Sequence, residues 1–313
     1  MQVKKKEKPY LSVVVPFFNE EESIERLWQV LKSSLDEFGQ SYEVIFVDDG
    51  SMDRTRDIMR RLASDHPELL VILFRANFGQ SAAMAAGFEA SRGDVVVAID
   101  GDLQNDPRDI RAIVDKLNEG YDVVSGWRKN RQDKMVSRLL PSKIANHIIC
   151  SVTDVKLHDT GCSLKAFRGD LLRRISLYGE LHRFIPALLR MEGARITEMA
   201  VRHHARRYGT SKYNLSRTFR VIMDLLTIRL LMQHLQNPLS FFAKFSILAG
   251  AAGTVTFFRA LAQIVLNRID VATLNISISM TVLLWAASFM FMSLGLVGKM
   301  IVDNGERRPF SLE

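Results

Sequence analysis

The sequence predicts an α/β fold, a mainly parallel sheet wrapped by helices, followed by amphipathic interfacial helices and two transmembrane helices. Three observations carry that reading. Short β-branched runs alternate with helical patterns from residue 11 to residue 99, the rhythm of a parallel sheet covered on both faces. Those runs end in polar and acidic residues. Of 42 basic and 35 acidic residues, only Lys244, Arg259, Arg268 and Asp270 fall between Leu239 and Gly298, which leaves no polar face for water and excludes a simple soluble enzyme. With 47% hydrophobic and 25% charged residues, and only 18 Gly and 8 Pro in 313, the chain is neither disordered nor fibrous.

After a basic leader containing Lys4, Lys5, Lys6 and Lys8, LSVVVPFF reads as a buried parallel strand. Asn19 and the acidic residues 20–22 mark a helix start, and Ile24, Leu27, Trp28, Leu31 and Leu35 recur at helical spacing behind them. The pattern repeats as a strand over Tyr42–Val47, a helix over Thr55–Ala63, a strand over Leu69–Phe74, a helix over Ser81–Ala90 and a strand over Asp94–Ile99. From Arg128 to Arg138 the chain turns basic. A helical stretch from Ser142 to Cys150 leads into a loop, HDTGCSLKAFRGD, and a helix around Ala187–Met191 with a short strand at Ile196–Val201 closes the globular part.

A second basic patch, RHHARRYGTSKYN, precedes the amphipathic stretch Leu215–Gln236, which suits a membrane interface. Of two apolar segments, Val271–Gly298 is uncharged and exceeds the roughly 20 residues that span hydrocarbon. The other, Phe241–Leu266, carries Lys244 near one end, where it can snorkel, and Arg259 inside, which needs an interface or a partner. Lys299, Arg307 and Arg308 follow the second span, so the positive-inside bias places both termini in the cytosol. The first apolar run, Leu11–Phe18, is too short for a signal peptide and ends in acidic residues. The net charge of +7 is concentrated beside the membrane segments, so anionic lipid or phosphate is the expected partner and nucleic acid is not. Cys150 and Cys162 lack the spacing of a zinc site and read as structural thiols.

The strand ends hold the unusual residues. Pro16, Asn19 and Glu20 follow the first strand, Asp48 and Asp49 end the second, Arg75 and Asn77 follow the third, and Asp100 and Asp102 end the fourth. Together they point to a shared ligand crevice beyond the carboxyl ends. Asp100 and Asp102 sit two residues apart where a strand breaks into a turn, and with the amide oxygen of Gln104 they suit Mg²⁺ or Mn²⁺, hard cations that keep positions open for substrate phosphates.

The succession VVVPFFNEEESI, VDDGSMDRT, RANFGQSAAMAAGFEASRGD and AIDGDLQNDP resembles the family 2 glycosyltransferases. Within them it is most similar to the polyprenyl-phosphate hexosyltransferases related to dolichol-phosphate mannose synthase and the bacterial bactoprenol glucosyltransferases. The resemblance covers about the first 215 residues and implies a nucleotide-sugar-binding, Rossmann-like GT-A domain. By that resemblance Pro16, Asn19, Glu20 and Asp49 hold the base and ribose of a nucleotide sugar, and Asp100, Asp102 and Gln104 hold the metal on its diphosphate. Arg128, Arg138 and Ser142 match positions that grip the lipid phosphate, with Gly126-Trp127-Arg128 replacing the more usual Gly-Ser-Arg. Arg206 and Lys212, in RRYGTSKYN, match a further phosphate-binding element. For Arg131, Lys134 and Arg207, contact with anionic headgroups is an equal reading. Asp159 aligns with the acidic residue of the acceptor loop, as an orienting group, a base, or a cap on the Thr160-Gly161 turn. A phosphate acceptor is already anionic near neutral pH, so abstraction of a proton is the less needed of these roles. His158, His203 and His204 show no ligand spacing.

The resemblance therefore implies inverting, metal-dependent transfer of one hexosyl unit, from a UDP- or GDP-linked sugar to polyprenyl phosphate, undecaprenyl phosphate in a bacterium, for cell-envelope glycan modification. The expected arrangement is a cytosolic catalytic domain over residues 1–214, amphipathic juxtamembrane helices over 215–238, two spans over 239–300 and a cytosolic tail over 301–313, held in the inner membrane. The spans also offer a surface for self-association. Two rivals remain. A processive polysaccharide synthase usually carries a Gln-x-x-Arg-Trp element, and no Arg-Trp occurs here. A non-catalytic scaffold or transporter component leaves the Asp100-x-Asp102 pair without a purpose.

Overall fold

Strand β1 (Leu11–Phe17) is buried on both faces, with Val13, Val15 and Phe17 in one hydrophobic cluster and Val14 in the other. That double burial is why its sequence is a continuous apolar run rather than an alternating one. The computed structural model describes residues 8–129, 155–175, 177, 179, 181–204, 238–266 and 271–304. These fall into two compact units, one within residues 1–226 and one within 227–313.

In the first unit β1 pairs in parallel with β2 (Tyr42–Asp48) and β4 (Val95–Ala98), and β2 pairs in parallel with β3 (Leu69–Leu73). Helices α1 (Ile24–Phe38) and α2 (Thr55–Asp65) alternate with these strands, as does α3 (Gln80–Ala90), and α4 (Ile110–Asn118) follows β4. One face of the sheet packs on Leu27, Leu31 and Leu35 of α1, Met59 of α2 and Ile113 and Leu117 of α4. The other packs on Ala83, Met84 and Phe88 of α3 and on Ile185 and Leu189 of a later helix.

The sheet continues with β5 (Val123–Trp127), β6 (Lys165–Arg168) and β7 (Ile196–Ala200), in the order β3-β2-β1-β4-β6-β5-β7. Strand β6 runs antiparallel to both β4 and β5, while β5 and β7 are parallel. The short helices α5 (Gly169–Leu172) and α6 (Ile185–Met191) lie between β6 and β7. The mainly parallel α/β fold is as the sequence predicts, but β6 lies inside the segment read as a loop. Only Ala166 and Phe167 of its four residues are apolar, so it has no periodicity of its own and is a strand because it has a partner on each side. Strand β5 and helix α4 also stand where the sequence analysis marked no element.

The start of α1 differs as well. Asn19 does not cap the helix, which begins at Ile24 behind Ser23; it adopts left-handed φ of 56° and turns toward the β2–α2 loop. Close approach of α3 to β1 depends on Gly87, where a Cβ would lie 2.3 Å from Val14 Cγ1. Gly87→Ala should lower thermal stability, because overpacking costs about 1–3 kcal/mol while the helix gains only about 1 kcal/mol from Ala. An unchanged melting temperature would show that α3 can slide away from β1.

The second unit is a pair of long helices, α7 (Pro238–Val265) and α8 (Val271–Asn304). Both are long and apolar enough to cross a membrane. They pack through small and hydroxylated residues: Ser246 Oγ donates to the Ser288 carbonyl at 2.8 Å, Ser288 Oγ returns the bond at 2.8 Å, and Thr256 and Thr281 meet at 2.8 Å. Such contacts hold helices together where lipid removes the hydrophobic drive. Leu283, Val282 and Phe289 are left facing outward.

Candidate active site

Because β1, β2 and β4 are parallel, their carboxyl ends open on one edge of the sheet. The Val14 carbonyl faces β4, accepting from Ile99 N at 3.1 Å. Two residues on, half-buried Pro16 faces the same way past the end of that ladder, where a missing N–H costs nothing. The Asn19 amide donates to Ser51 Oγ at 2.9 Å, and its Oδ1 accepts from Met52 N at 2.9 Å. Half-buried Glu20 donates its amide to Thr55 Oγ1 at 2.9 Å. The Ser23 hydroxyl lies 3.1 Å from the Glu20 carboxylate and 2.9 Å from the Gly101 carbonyl, joining the loop after β1 to the Asp100-Gly-Asp102 turn. Gly101 itself must lack a side chain, since a Cβ would lie 2.6 Å from the Phe17 ring.

Asp48 and Asp49 are both buried. Asp48 accepts from Arg56 Nε at 2.7 Å. Asp49 accepts from the amides of Phe78 at 2.7 Å and Gly79 at 3.0 Å and from Asn77 Nδ2 at 2.9 Å, so its carboxylate shapes the loop that leads into α3. Burial pushes its pKa up, against the pull of the Phe78 and Gly79 amides.

Asp100 accepts a hydrogen bond from Gln80 Nε2, at the first residue of α3, at 2.8 Å. Asp102 Oδ1 accepts from Gln104 N at 3.1 Å across Leu103, whose φ is 59°. Among the described residues, Asn19 and Leu103 are the only non-glycine residues with positive φ, and strain of this kind collects at functional sites. The donors are carboxylate and amide oxygens on half-buried residues, which fit a hard divalent cation. Among the described residues no group of three or more His, Cys, Asp or Glu forms a closed cage, so a cation held here would take further ligands from substrate phosphate.

On the far side of the crevice Arg128, just beyond β5, grips Asp159 with two prongs: Nε donates to Oδ2 at 2.7 Å and Nη2 to Oδ1 at 3.0 Å. Their side chains are only 14% and 9% exposed. The family resemblance implies separate roles for these residues; the fold makes them a pair, so Asp159 also bonds beyond its own turn. His158 bonds Glu198 and stacks on Trp127 at 4.5 Å between ring centroids, a structural role in keeping with its lack of ligand spacing. Arg138, Ser142, Arg206 and Lys212 lie outside the described residues, as do Arg131, Lys134, Arg207, Cys150 and the amphipathic stretch 215–236. Cys162 is a buried thiol that burial pushes up to about 11.

Three features escaped the sequence analysis. Gln80 sits in the quoted RANFGQSAAMAAGFEASRGD run, and its place at a helix start after Gly79 is the signal that could have found it. The Ser81 hydroxyl lies 2.7 Å from His182 Nδ1, a contact between positions too distant in sequence to be foreseen. Asp106, behind the turn, accepts from Arg108 Nε at 2.9 Å and Nη2 at 2.7 Å and lies 3.1 Å from His204 Nε2. Burial alone would raise its carboxyl, but the Arg108 and His204 hydrogen bonds and the Arg202 charge outweigh burial and hold it well below the usual carboxylate range. A depressed folded pKa stabilises the fold above the unfolded value of about 4 and is lost as pH falls toward the folded one. Wild type should therefore exceed Asp106→Asn in stability above about pH 5, and the gap should close on acidification. Denaturation midpoints across pH 3–7 check this; a pH-independent gap would remove the charge from the explanation.

The chain matches the model of Glycosyl transferase family 2 over residues 12–176. It belongs to that family. A dodecaprenyl-phosphate galacturonate synthase of Rhizobium johnstonii is 40% identical over 296 residues, covering 93% of this chain and 87% of the relative. An undecaprenyl-phosphate 4-deoxy-4-formamido-L-arabinose transferase of Aeromonas hydrophila is 34% identical over 293 residues, covering 93% and 88%. The enzyme of that name from Pseudomonas aeruginosa is 38% identical, but the match spans 70% of this chain and 66% of the relative. Among solved structures, glucosyl-3-phosphoglycerate synthase of Mycobacterium tuberculosis in complex with Mn²⁺, UDP and phosphoglyceric acid superposes with a TM-score of 0.54 at 20% identity, over 72% of this chain and 78% of that one. This likeness identifies the glycosyltransferase family's GT-A fold in the first unit.

Proposed function

We propose that this family 2 glycosyltransferase moves a single sugar, with inversion, from a UDP- or GDP-linked donor to polyprenyl phosphate, undecaprenyl phosphate in a bacterium. The observation that carries the reading is the pairing of an acidic strand-end crevice with full-length relatives that are themselves named for polyprenyl-phosphate sugar transfer. Pro16, Asn19, Glu20 and Asp49 border the donor side, Asp49 by shaping the 77–79 loop. Asp100, Asp102 and Gln104 are the residues that would hold Mg²⁺ or Mn²⁺, which when bound neutralises the leaving diphosphate.

Arg128, with Arg138, Ser142, Arg206 and Lys212, is assigned to the acceptor phosphate. Asp159 orients Arg128 through both oxygens, a role that suits a phosphate nucleophile already ionised near pH 7. The arginines hold two anions at reacting distance and the anionic acceptor oxygen attacks the anomeric carbon. The catalytic unit and both termini are placed in the cytosol, with α7 and α8 crossing the inner membrane and available for self-association.

The test incubates membranes containing the protein with labelled nucleotide sugars, uronic acid sugars included, and polyprenyl phosphate. A lipid carrying one sugar supports the reading. A polymer would mean a processive synthase, and no transfer from any donor would mean a non-catalytic component.

A further inference from the structure

Strand β6 carries a charged residue where its neighbours carry small uncharged ones, Ala98 and Ser125. Lys165 is 4% exposed. It stands opposite Ala98 of β4 and Ser125 of β5, and directly opposed residues share one face of a sheet. On that face Val96, Ala98, Val123 and Phe167 are packed against α3 and α6. Asp100 comes two positions after Ala98, so the ladder places Lys165 one step below the crevice floor, between the donor and acceptor strand ends. Its ammonium donates to the Cys162 carbonyl, in the turn that begins with Asp159. The charged and titratable groups acting on it are Cys162, Asp159, Arg128 and Asp100. Beside it, Ser125 Oγ is buried and has no hydrogen-bond partner among the described residues.

We propose that Lys165 is a positioning residue for the sugar transfer assigned above: a buried cation that fixes the Asp159–Cys162 turn and balances the carboxylates of the crevice floor. The proposal rests on that transfer reading. A buried ammonium is a burden to the fold, since burial disfavours its charged form and pushes its pKa down. A core chosen for stability alone would continue the apolar layer to this position. Groups that weaken a fold yet sit at the edge of its site are the expected mark of function. Here the ammonium anchors the acceptor-side turn by a hydrogen bond and acts through space on Asp100, which the ladder places two positions beyond its partner Ala98. Removing it takes one donor from the Cys162 carbonyl and loosens Asp159, and with it the guanidinium of Arg128.

Full-length protein in detergent, as Lys165→Met and Lys165→Arg, separates this from a merely structural role. Lys165→Met should melt at or above the wild-type temperature while kcat falls about tenfold or more and the nucleotide-sugar KM stays within about twofold. Lys165→Arg should recover most of kcat. Mn²⁺ binding followed by electron paramagnetic resonance should tighten about two- to fivefold in Lys165→Met, because a cation near Asp100 is gone. A Lys165→Met protein that keeps kcat within about twofold, that loses activity only in step with its melting temperature, or that binds Mn²⁺ as wild type does overturns the proposal. Wild-type protein that transfers nothing to polyprenyl phosphate overturns the transfer reading alone, and the melting and Mn²⁺ measurements still decide the role of Lys165.

Discussion

Asp102→Ala should abolish the proposed divalent-dependent transfer, a loss of about a thousandfold or more, in a protein that folds and enters the membrane as wild type does. The side chain is half-buried at the strand end and belongs to neither hydrophobic cluster, so its removal takes an anionic oxygen from the crevice and little packing from the core. Within its own turn the carboxylate also gives up the bond it accepts from Gln104 N. Transfer measured across a Mn²⁺ titration, alongside a melting curve, is the check. Activity within about tenfold of wild type at the same metal optimum would move the cation away from this turn.

Arg128→Ala has the second large effect, and it appears in stability as well as in rate. The Arg128–Asp159 pair is nearly enclosed, and removing one partner of a buried ion pair costs up to about 3–5 kcal/mol. Arg128→Ala should therefore melt well below wild type, whereas the double variant Arg128→Ala with Asp159→Ala should recover part of that loss, since no carboxylate is stranded. In the transfer assay the apparent KM for lipid phosphate should rise far more than that for the nucleotide sugar. Arg128→Lys should not rescue, because an ammonium cannot reproduce the planar two-pronged grip. A single variant that melts with wild type would show that the ion pair does not hold the acceptor loop, and equal changes in both KM values would put the guanidinium on the donor anion.

The β1–β4 half of the sheet was legible because each of its signals is local. A doubly buried parallel strand writes itself as VVV or VIFV, and the residue that ends it is polar only where a ligand or a loop needs it. The strand-end positions of Asp100, Asp102, Asn19 and Glu20 were readable for that reason, although Asn19 holds the 51–52 loop and not the first helix. The β5–β7 half was less legible because its order is made by pairing across the sheet. Strand β6 has no apolar period to announce it, Lys165 looks like a surface lysine inside a loop, and the Arg128–Asp159 bond joins residues whose proximity no spacing predicts. Gln80 and His182 were missed for the same reason: their partners, Asp100 and Ser81, are reached only after the chain has wound round the sheet.

The reversed direction of β6 bears on how the protein is made. Strands β1 to β4 and their helices are complete once about the first hundred residues have been synthesised, yet β4 then ends the sheet with its outer backbone groups unpaired. Its neighbour, Lys165–Arg168, is separated from it by more than sixty residues, and such distant pairings form slowly because a long loop must close first. A nascent or truncated chain that stops before residue 165 thus presents a bare strand edge, a surface prone to join the wrong partner. The β1–β4 half is built early and kept waiting with an open flank, and one short, charged strand seals that flank and brings in the turn that follows Asp159 in the same event.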